Sequence, residues 1–440
     1  MKRSSKIIFI AAGMVLGALA ATPWLVPTGA WLARIEAEAS RQLGVPVRVG
    51  DLRLSLLPTP HLTVYRLDVA AGAVSAQVIA VYPDVTSLFG EKHVLRSIEL
   101  QKVVVSPQGV DLITAIAGKK EASGGALQVE RLRATAVEIE LATGKLPAFN
   151  ADVVFNAGHA LPLDSARVTT TDGKATAQLM PEGKDWKLTF EATDWQLPAG
   201  PALRFTALKA NGRIAGDKLV LNDIAADLYG GKATGKAELG WHKGWRLSGE
   251  VKVSGLDILS VTRALKIQSA LSGKLDASGP FSAQAAKPAS LGDAITADIV
   301  FDVRNGVLQG FDLASAAQSL LKAGAGGGNT QFDQLSGRVK LQGRAYKLQN
   351  LNVTSGVLKA HGNVDISPAK QLSGRIDTEI KGTAGLVGVP LAVSGTLERP
   401  ILQPTKGSMA GAVVGSVLLP GVGTSIGSSV GDKIGKMFGK

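Results

Sequence analysis

The chain has 440 residues, a formal net charge of +12 and no cysteine. The lack of cysteine excludes disulfide bonds, thiol catalysis and any metal site that needs a thiolate. The 48 lysine and arginine residues are scattered along the chain rather than grouped in a basic block interleaved with aromatics, so nucleic acid is not a predicted partner.

The first residues are basic and are followed by a long apolar run. Three of the first six residues are lysine or arginine, and residues 7–26 carry no charge. A helix needs about 20 apolar residues to cross a bilayer, so we predict a retained membrane anchor over residues 1–28 with a short cytoplasmic start and the body exported. The residues assigned to this anchor are Ile7, Phe9, Leu16, Trp24 and Val26. The alternative is a cleaved signal peptide, because residues 18–20 fit an A-x-A cleavage site.

Thr28–Leu43 is predicted to be an amphipathic helix that Gly44 ends. Its apolar residues recur at helical spacing at Trp31, Leu32, Ile35, Ala39 and Leu43. This apolar side suits either a membrane surface or the end of a sheet, and the sequence does not decide between them.

The rest of the chain alternates between strand patterns and turn signals, which predicts a mainly β protein with antiparallel strands. We divide it into an N-terminal β region (29–120), a repeated antiparallel region (121–304), a second β region (305–404) and a glycine-rich tail (405–440). In the first region, strands are predicted at 45–57, 61–69, 76–82, 95–106 and 109–113. Short helices are predicted at 256–266 and 311–322.

One strand phrase recurs through the second half of the chain. Residues 335–343 alternate strictly, with Val339 and Leu341 on one side and Arg338 and Lys340 on the other. Similar phrases begin at residues 247, 271 and 372. A recurring unit of strand, turn and strand predicts an elongated stack in which neighbouring copies cover one another.

The tail carries glycines four residues apart, a spacing that lets helices approach closely in a membrane. We predict that it contacts a membrane or an apolar groove, and the alternative is a loosely ordered surface tail.

No catalytic or metal-binding pattern stands out in the sequence. The five histidines do not fall at metal-ligand spacing, and the G-x-S-x-G at 427–431 has no histidine after it. The S-x-x-K at 319–322 lacks the partner motifs of its enzyme class. We predict that the protein is not an enzyme and that it needs no cofactor and no metal.

The order of several segments resembles the AsmA family of Gram-negative envelope proteins, relatives of TamB and YhdP. The segments that carry the resemblance are residues 45–52, 56–60, 95–105, 305–313, 335–337, 389–391 and 395–400. The resemblance covers nearly the whole chain and implies an inner-membrane anchor and a periplasmic body built as a long, curved, groove-like antiparallel sheet. It also implies a part in phospholipid transport to the outer membrane.

An apolar trough along such a sheet suits the acyl chain of a lipid, since burial stabilises each CH₂ group by about 0.8 kcal/mol. The residues predicted to line the groove are Val251, Val253, Leu275, Val339, Leu341 and Ile376. The same alternation would arise if this face were packed against another sheet. The predicted partners are phospholipid, the inner membrane and envelope proteins. The alternative function is an assembly factor for outer-membrane proteins that acts through protein contacts, for instance by offering an edge strand.

Overall fold

The computed structural model describes residues 28–89, 93–117, 127–141, 144–156, 163–198, 202–266, 271–318, 328–356, 358–382 and 385–407. The described chain is mainly β with a few short helices, as predicted, and it divides into two compact units, Met1–Ala192 and Thr193–Lys440. In each unit the strands form an open, curved sheet. The predicted anchor residues Ile7, Phe9, Leu16, Trp24 and Val26, the motifs at 319–322 and 427–431 and the tail beyond residue 407 lie outside the described residues.

No helix within the described ranges has both the length and the apolar character that a membrane span requires.

The first unit contains two helices, α1 and α2, and a sheet that begins with strand β1. The helices are α1 (Thr28–Leu43) and α2 (Pro107–Ala117), with a 3-10 turn at Val85–Phe89. The strands are β1 (Val47–Ser55), β2 (His61–Val69), β3 (Val74–Pro83), β4 (His93–Val105), β5 (Leu127–Val129), β6 (Arg131–Leu141), β7 (Gly144–Lys145), β8 (Phe149–Phe155), β9 (Leu163–Thr170), β10 (Ala175–Glu182) and β11 (Asp185–Gln196), the last of which crosses the unit boundary.

Most neighbours in this sheet are antiparallel, but β4 is an exception. It pairs in parallel with β5 and β6, so the prediction of purely antiparallel strands is wrong here. Parallel neighbours need a long crossover connection, and α2 lies in the connection between β4 and β5.

The predicted strand at 109–113 is therefore also wrong, because these residues belong to α2. The hydroxyl of Ser106 accepts a hydrogen bond from the N–H of Gly109 at 3.2 Å, and Pro107 stands at the first helical position. These residues form a helix start that outweighs the β-branched residues that follow. Gly109 also lies so close to the carbonyl oxygen of Ala73 that a Cβ there would clash.

Helix α1 has the predicted bounds and lies against the edge of β1. The N–H of Val47 donates to the Ser40 hydroxyl at 2.9 Å, and the N–H of Val49 donates to the Glu36 carboxylate at 2.6 Å. Ser40 and Glu36 are four residues apart and so share one side of the helix. These hydrogen bonds hold α1 along the free edge of β1, and the role of its apolar side stays a prediction.

The second unit contains helices α3 and α4 and the antiparallel strands β12 to β23, each hydrogen-bonded to the next. The helices are α3 (Ile258–Ala264) and α4 (Leu313–Gln318), with a 3-10 turn at Pro288–Ser290. The strands are β12 (Arg204–Ala215), β13 (Lys218–Leu228), β14 (Gly231–Gly240), β15 (Trp245–Asp257), β16 (Lys274–Ala285), β17 (Thr296–Gln309), β18 (Asn329–Gln342), β19 (Ala345–Thr354), β20 (Leu358–Ile366), β21 (Leu372–Gly382), β22 (Gly385–Gly395) and β23 (Pro400–Pro404). The pairings follow chain order from β12 to β23.

The strict alternation predicted for residues 335–343 is confirmed in β18. Arg338 and Lys340 are exposed, whereas Val339 and Leu341 are half-buried. Directly paired residues in an antiparallel sheet share a face, so the register shows which apolar residues of successive strands lie together. We call the face that carries Val339 the inner face.

One row of paired residues on the inner face runs through the main core of the unit. It consists of Leu275, Val303, Leu335, Val353, Ala360, Thr378 and Val389, from β16 to β22. Helix α4 packs over this face against β18, β21, β22 and β23, and Leu313 and Leu391 are almost completely buried there.

Candidate functional site

The inner face of the second unit contains an apolar pocket of about 370 Å³. Its walls come from β17 to β21, from the segment just before β16, from the segment that begins α4, and from the turn between β22 and β23. The lining residues are Leu271, Phe301, Leu308, Phe311, Leu313, Leu335, Leu348, Leu351, Val353, Ala360, His361, Gly362, Val364, Ile366, Leu372, Ile376 and Leu397.

A β-bulge in β19 brings two leucines to the same side of the pocket. Leu348 pairs with Val364 and Leu351 pairs with Gly362, so two residues of β19 stand opposite one residue of β20. The extra residue is Asn350, whose φ is +51° and whose N–H donates to the Asn363 side chain at 2.9 Å. Asparagine tolerates this left-handed conformation better than most residues. Strict period-two alternation cannot place Leu348 and Leu351 on one face, so sequence reasoning missed this pair.

Small residues in β20 leave room between the larger ones. Ala360 pairs with Val353 and Thr378, and Gly362 lies between Leu351 and Ile376. Neither Ala360 nor Gly362 extends beyond a methyl group into the pocket, so the space is bounded by the side chains of the neighbouring strands.

A buried hydroxyl holds the segment that covers the pocket. Thr330 is 5% exposed; its hydroxyl donates to the carbonyl oxygen of Phe311 at 2.6 Å and accepts from the N–H of Leu313 at 3.0 Å. The carboxylate of Asp312 then accepts from the N–H of Ser315 at 2.8 Å, which caps the start of α4. The predicted helix at 311–322 is confirmed for residues 313–318. Residues 319–322 of that prediction lie outside the residues that the structure describes.

Charged groups lie on the other face of the sheet. His361 is the one ionisable residue among those that line the pocket, and its side chain is exposed, 4.0 Å from Asp377. On β17 and β18, Arg338 donates to both carboxylate oxygens of Asp298, at 2.5 and 2.8 Å. These hydrogen bonds hold the pKa of Asp298 below its usual value. The pocket therefore offers a ligand apolar contacts rather than charge or proton transfer.

The six residues predicted to line a groove all lie on the inner face, but only one lines the pocket. Ile376 is 8% exposed and is part of the lining. Val339 pairs with the lining residue Leu348, and Leu341 pairs with Tyr346. Leu275 pairs with Val303 and packs against the core of the unit.

The remaining two predicted residues, Val251 and Val253, lie on β15, farther along the inner face. Both are half-buried, and they pair with small residues on either side. Val251 stands between Gly235 and Gly279, and Val253 stands between Ala233 and Ala277. The inner face thus continues as an apolar surface beyond the pocket.

The aromatic and loop residues of the pocket were not predicted. Phe301, Phe311 and Leu397 come from a strand, a helix start and a turn, and they meet only in the folded unit. For Phe311, the single signal in the sequence was its position directly before Asp312, the residue predicted to start the helix.

The part of the chain that the structure describes contains no group of three or more His, Asp or Glu side chains arranged to hold a metal ion. Comparison of the chain with protein-family models, curated proteins and solved structures finds no match.

Proposed function

We propose that the second unit binds the acyl chain of a phospholipid in its apolar pocket, and that the protein takes part in phospholipid transport between the membranes of a Gram-negative envelope. The observation that carries the proposal is the pocket itself, an apolar space of about 370 Å³ on the inner face of a sheet whose charges lie on the other face.

The size and the lining of the pocket favour one acyl chain. Pockets for small ligands span roughly 300–1,000 Å³ and are mainly apolar, and this pocket is near the lower bound. An acyl chain gains about 0.8 kcal/mol for each CH₂ that it buries, without any specific polar contact. A headgroup would stay outside, because the lining supplies no buried charge to receive it.

The apolar surface beyond the pocket supports transport rather than storage. The row that contains Val339 runs from Ile299 in β17 to Val393 in β22 through directly paired residues. On β15, Val253 belongs to the same face, because it pairs with Ala277, which pairs with Phe301. Neighbouring strands are about 4.8 Å apart, so an acyl chain moving across them would exchange one apolar contact for a similar one at each step. Similar contact energies at successive positions keep the barriers to movement low.

An anchor in the inner membrane, a periplasmic body and membership of the AsmA family remain predictions of the sequence. They agree with the proposed ligand, because a membrane anchor would keep the pocket near a source of phospholipid.

The alternative function, assembly of outer-membrane proteins through an edge strand, has less support. At the end of the second unit, β23 is short and has Pro400 and Pro404 at its two ends. Proline has no N–H to donate to an added strand. In the first unit, Ser40 and Glu36 already accept hydrogen bonds from the edge of β1.

The experiment that tests the proposal compares two leucine-to-glutamine variants of the full chain. Leu348→Gln places an amide in the pocket, whereas Leu247→Gln places the same amide on β15, on the same face but away from the pocket. We expect Leu348→Gln to weaken binding of a phospholipid with a fluorescent acyl chain at least about fivefold, because an unpaired amide in an apolar site costs about 1–3 kcal/mol.

Leu247→Gln is expected to bind within about twofold of the unchanged chain, since its amide stays outside the pocket. The melting temperature of each variant shows whether it folds. Equal binding by the two folded variants would contradict the proposal.

A further inference from the structure

Two tryptophans flank the turn between β14 and β15. The ring centroids of Trp241 and Trp245 are 6.3 Å apart, with the ring planes inclined by 41°. Both side chains are half-buried, and the backbone N–H of Trp241 donates to the backbone carbonyl oxygen of Asp217 at 3.0 Å. The backbone of Trp241 is therefore tied to the end of β13, and the two rings lie side by side next to the turn.

This tryptophan pair lies where the inner face meets water. Trp245 pairs with Ala285. Leu247, two residues further along β15, pairs with Leu239 on one side and with Ala283 on the other. Since residues two apart in a strand share a face, Trp245 is the last inner-face residue of β15 before the turn. An amphipathic indole suits such a boundary, because its ring is apolar and its N–H needs a polar partner.

The turn is also basic. His242, Lys243 and Arg246 are exposed, and Lys243 and Arg246 form no ion pair within the described ranges. They line a depression of about 340 Å³ together with Trp245 and Gln284. The carboxylate of Asp217 contacts the turn, 3.1 Å from the His242 ring.

A second turn at the same end of the strands repeats this combination. The register from β15 to β18 places Ser282, Thr296 and Gln342 side by side, so the turn after Gln342 lies at the end where β15 begins. Next to that turn, Tyr346 is 41% exposed and Lys347 is exposed without an ion pair in the described chain.

We propose that this end of the second unit, defined by Trp241, Lys243, Trp245, Arg246, Tyr346 and Lys347, docks on the surface of an anionic phospholipid bilayer. Tryptophan and tyrosine favour the boundary between acyl chains and headgroups. Each lysine or arginine held at an anionic surface adds about 1 kcal/mol of attraction, or about fivefold in binding. The docking surface is separate from the acyl-binding pocket.

The absence of cysteine permits a site-specific test. His242→Cys in the full chain, labelled with an environment-sensitive fluorophore, reports on the proposed surface. Gly356→Cys is the matched control, because Gly356 lies in the turn between β19 and β20 at the other end of the strands and has open space around it. Each labelled protein is reconstituted in vesicles of phosphatidylcholine, with or without phosphatidylglycerol, that contain a spin-labelled lipid as quencher.

We expect the label at residue 242, but not that at residue 356, to be quenched when phosphatidylglycerol is present. Adding Lys243→Gln and Arg246→Gln should lower the ratio of docked to undocked protein about 25-fold, at fivefold for each charge. The proposal is overturned if neither label is quenched or if both are quenched alike. It is also overturned if quenching at residue 242 is the same with and without phosphatidylglycerol. Acyl-chain binding measured with Leu348→Gln is independent of these results, so the two proposals can fail separately.

Discussion

The copies of the repeated strand phrase in β15 and in β21 have the same alternation but different surroundings. In β21, Leu372 and Ile376 are 5% and 8% exposed. In β15, Leu247 and Val251 occupy the equivalent positions and are only half-buried. The alternation thus specifies which side chains share a face, and other elements decide whether that face is covered.

Two features of the second unit explain the difference. Helix α4 packs over β21, β22 and β23, and Thr330 holds the start of that helix. The neighbours of β15 carry glycine and alanine at the paired positions, so its valines meet few large side chains. The covered part forms a core and the pocket, whereas the open part provides an apolar surface.

The largest expected effect is on stability in the covered part. Leu391 is completely buried between Ile376 and Pro404, so Leu391→Ala should lower the free energy of unfolding by about 2–5 kcal/mol. Leu247→Ala removes the same atoms from the open part and should cost less than about half as much, because fewer contacts are lost. Denaturant unfolding of the two variants measures both changes. Equal losses would show that the two parts are covered alike.

A smaller effect is expected at the hydroxyl that holds α4. Thr330→Val keeps the shape of the side chain but leaves the N–H of Leu313 and the carbonyl of Phe311 without this partner, which should cost about 1–3 kcal/mol. Hydrogen exchange should accelerate in residues 311–318 and stay unchanged in α3.

Thr234→Val is the matched control for this substitution. Thr234 is an exposed residue of β14, and its replacement should change stability by less than about 0.5 kcal/mol. If Thr330→Val behaves in the same way, the hydroxyl does not hold the segment.

The sequence predicted elements that depend on local pattern. The spacing of apolar residues predicted the bounds of α1, and period-two alternation predicted the faces of Val339 and Leu341. Residues 109–113 were predicted to be a strand, but the helix start at Ser106 and Pro107 outweighs the β-branched residues after Gly109. The parallel pairing of β4 with β6 joins strands distant in sequence, and alternation contains no information about such partners.

The pocket was less predictable than the sheet. Ile376 was predicted as a lining residue because it belongs to the repeated phrase. Leu351 shares a face with Leu348 only because Asn350 forms a bulge, and a bulge breaks the period on which the prediction rested. Leu397 joins the lining from a turn, where no periodicity exists to predict a face.

The most direct test of acyl-chain binding is cross-linking to a phospholipid that carries a photoactivatable group in its acyl chain. The full chain is illuminated with this lipid, and the modified residues are identified by mass spectrometry of its peptides. Modification should concentrate on inner-face residues of the pocket, such as Leu348, Leu351 and Ile366, and spare Lys340 and Lys347 on the other face. Equal modification of both faces, or modification confined to residues 1–28, would contradict acyl-chain binding in the pocket.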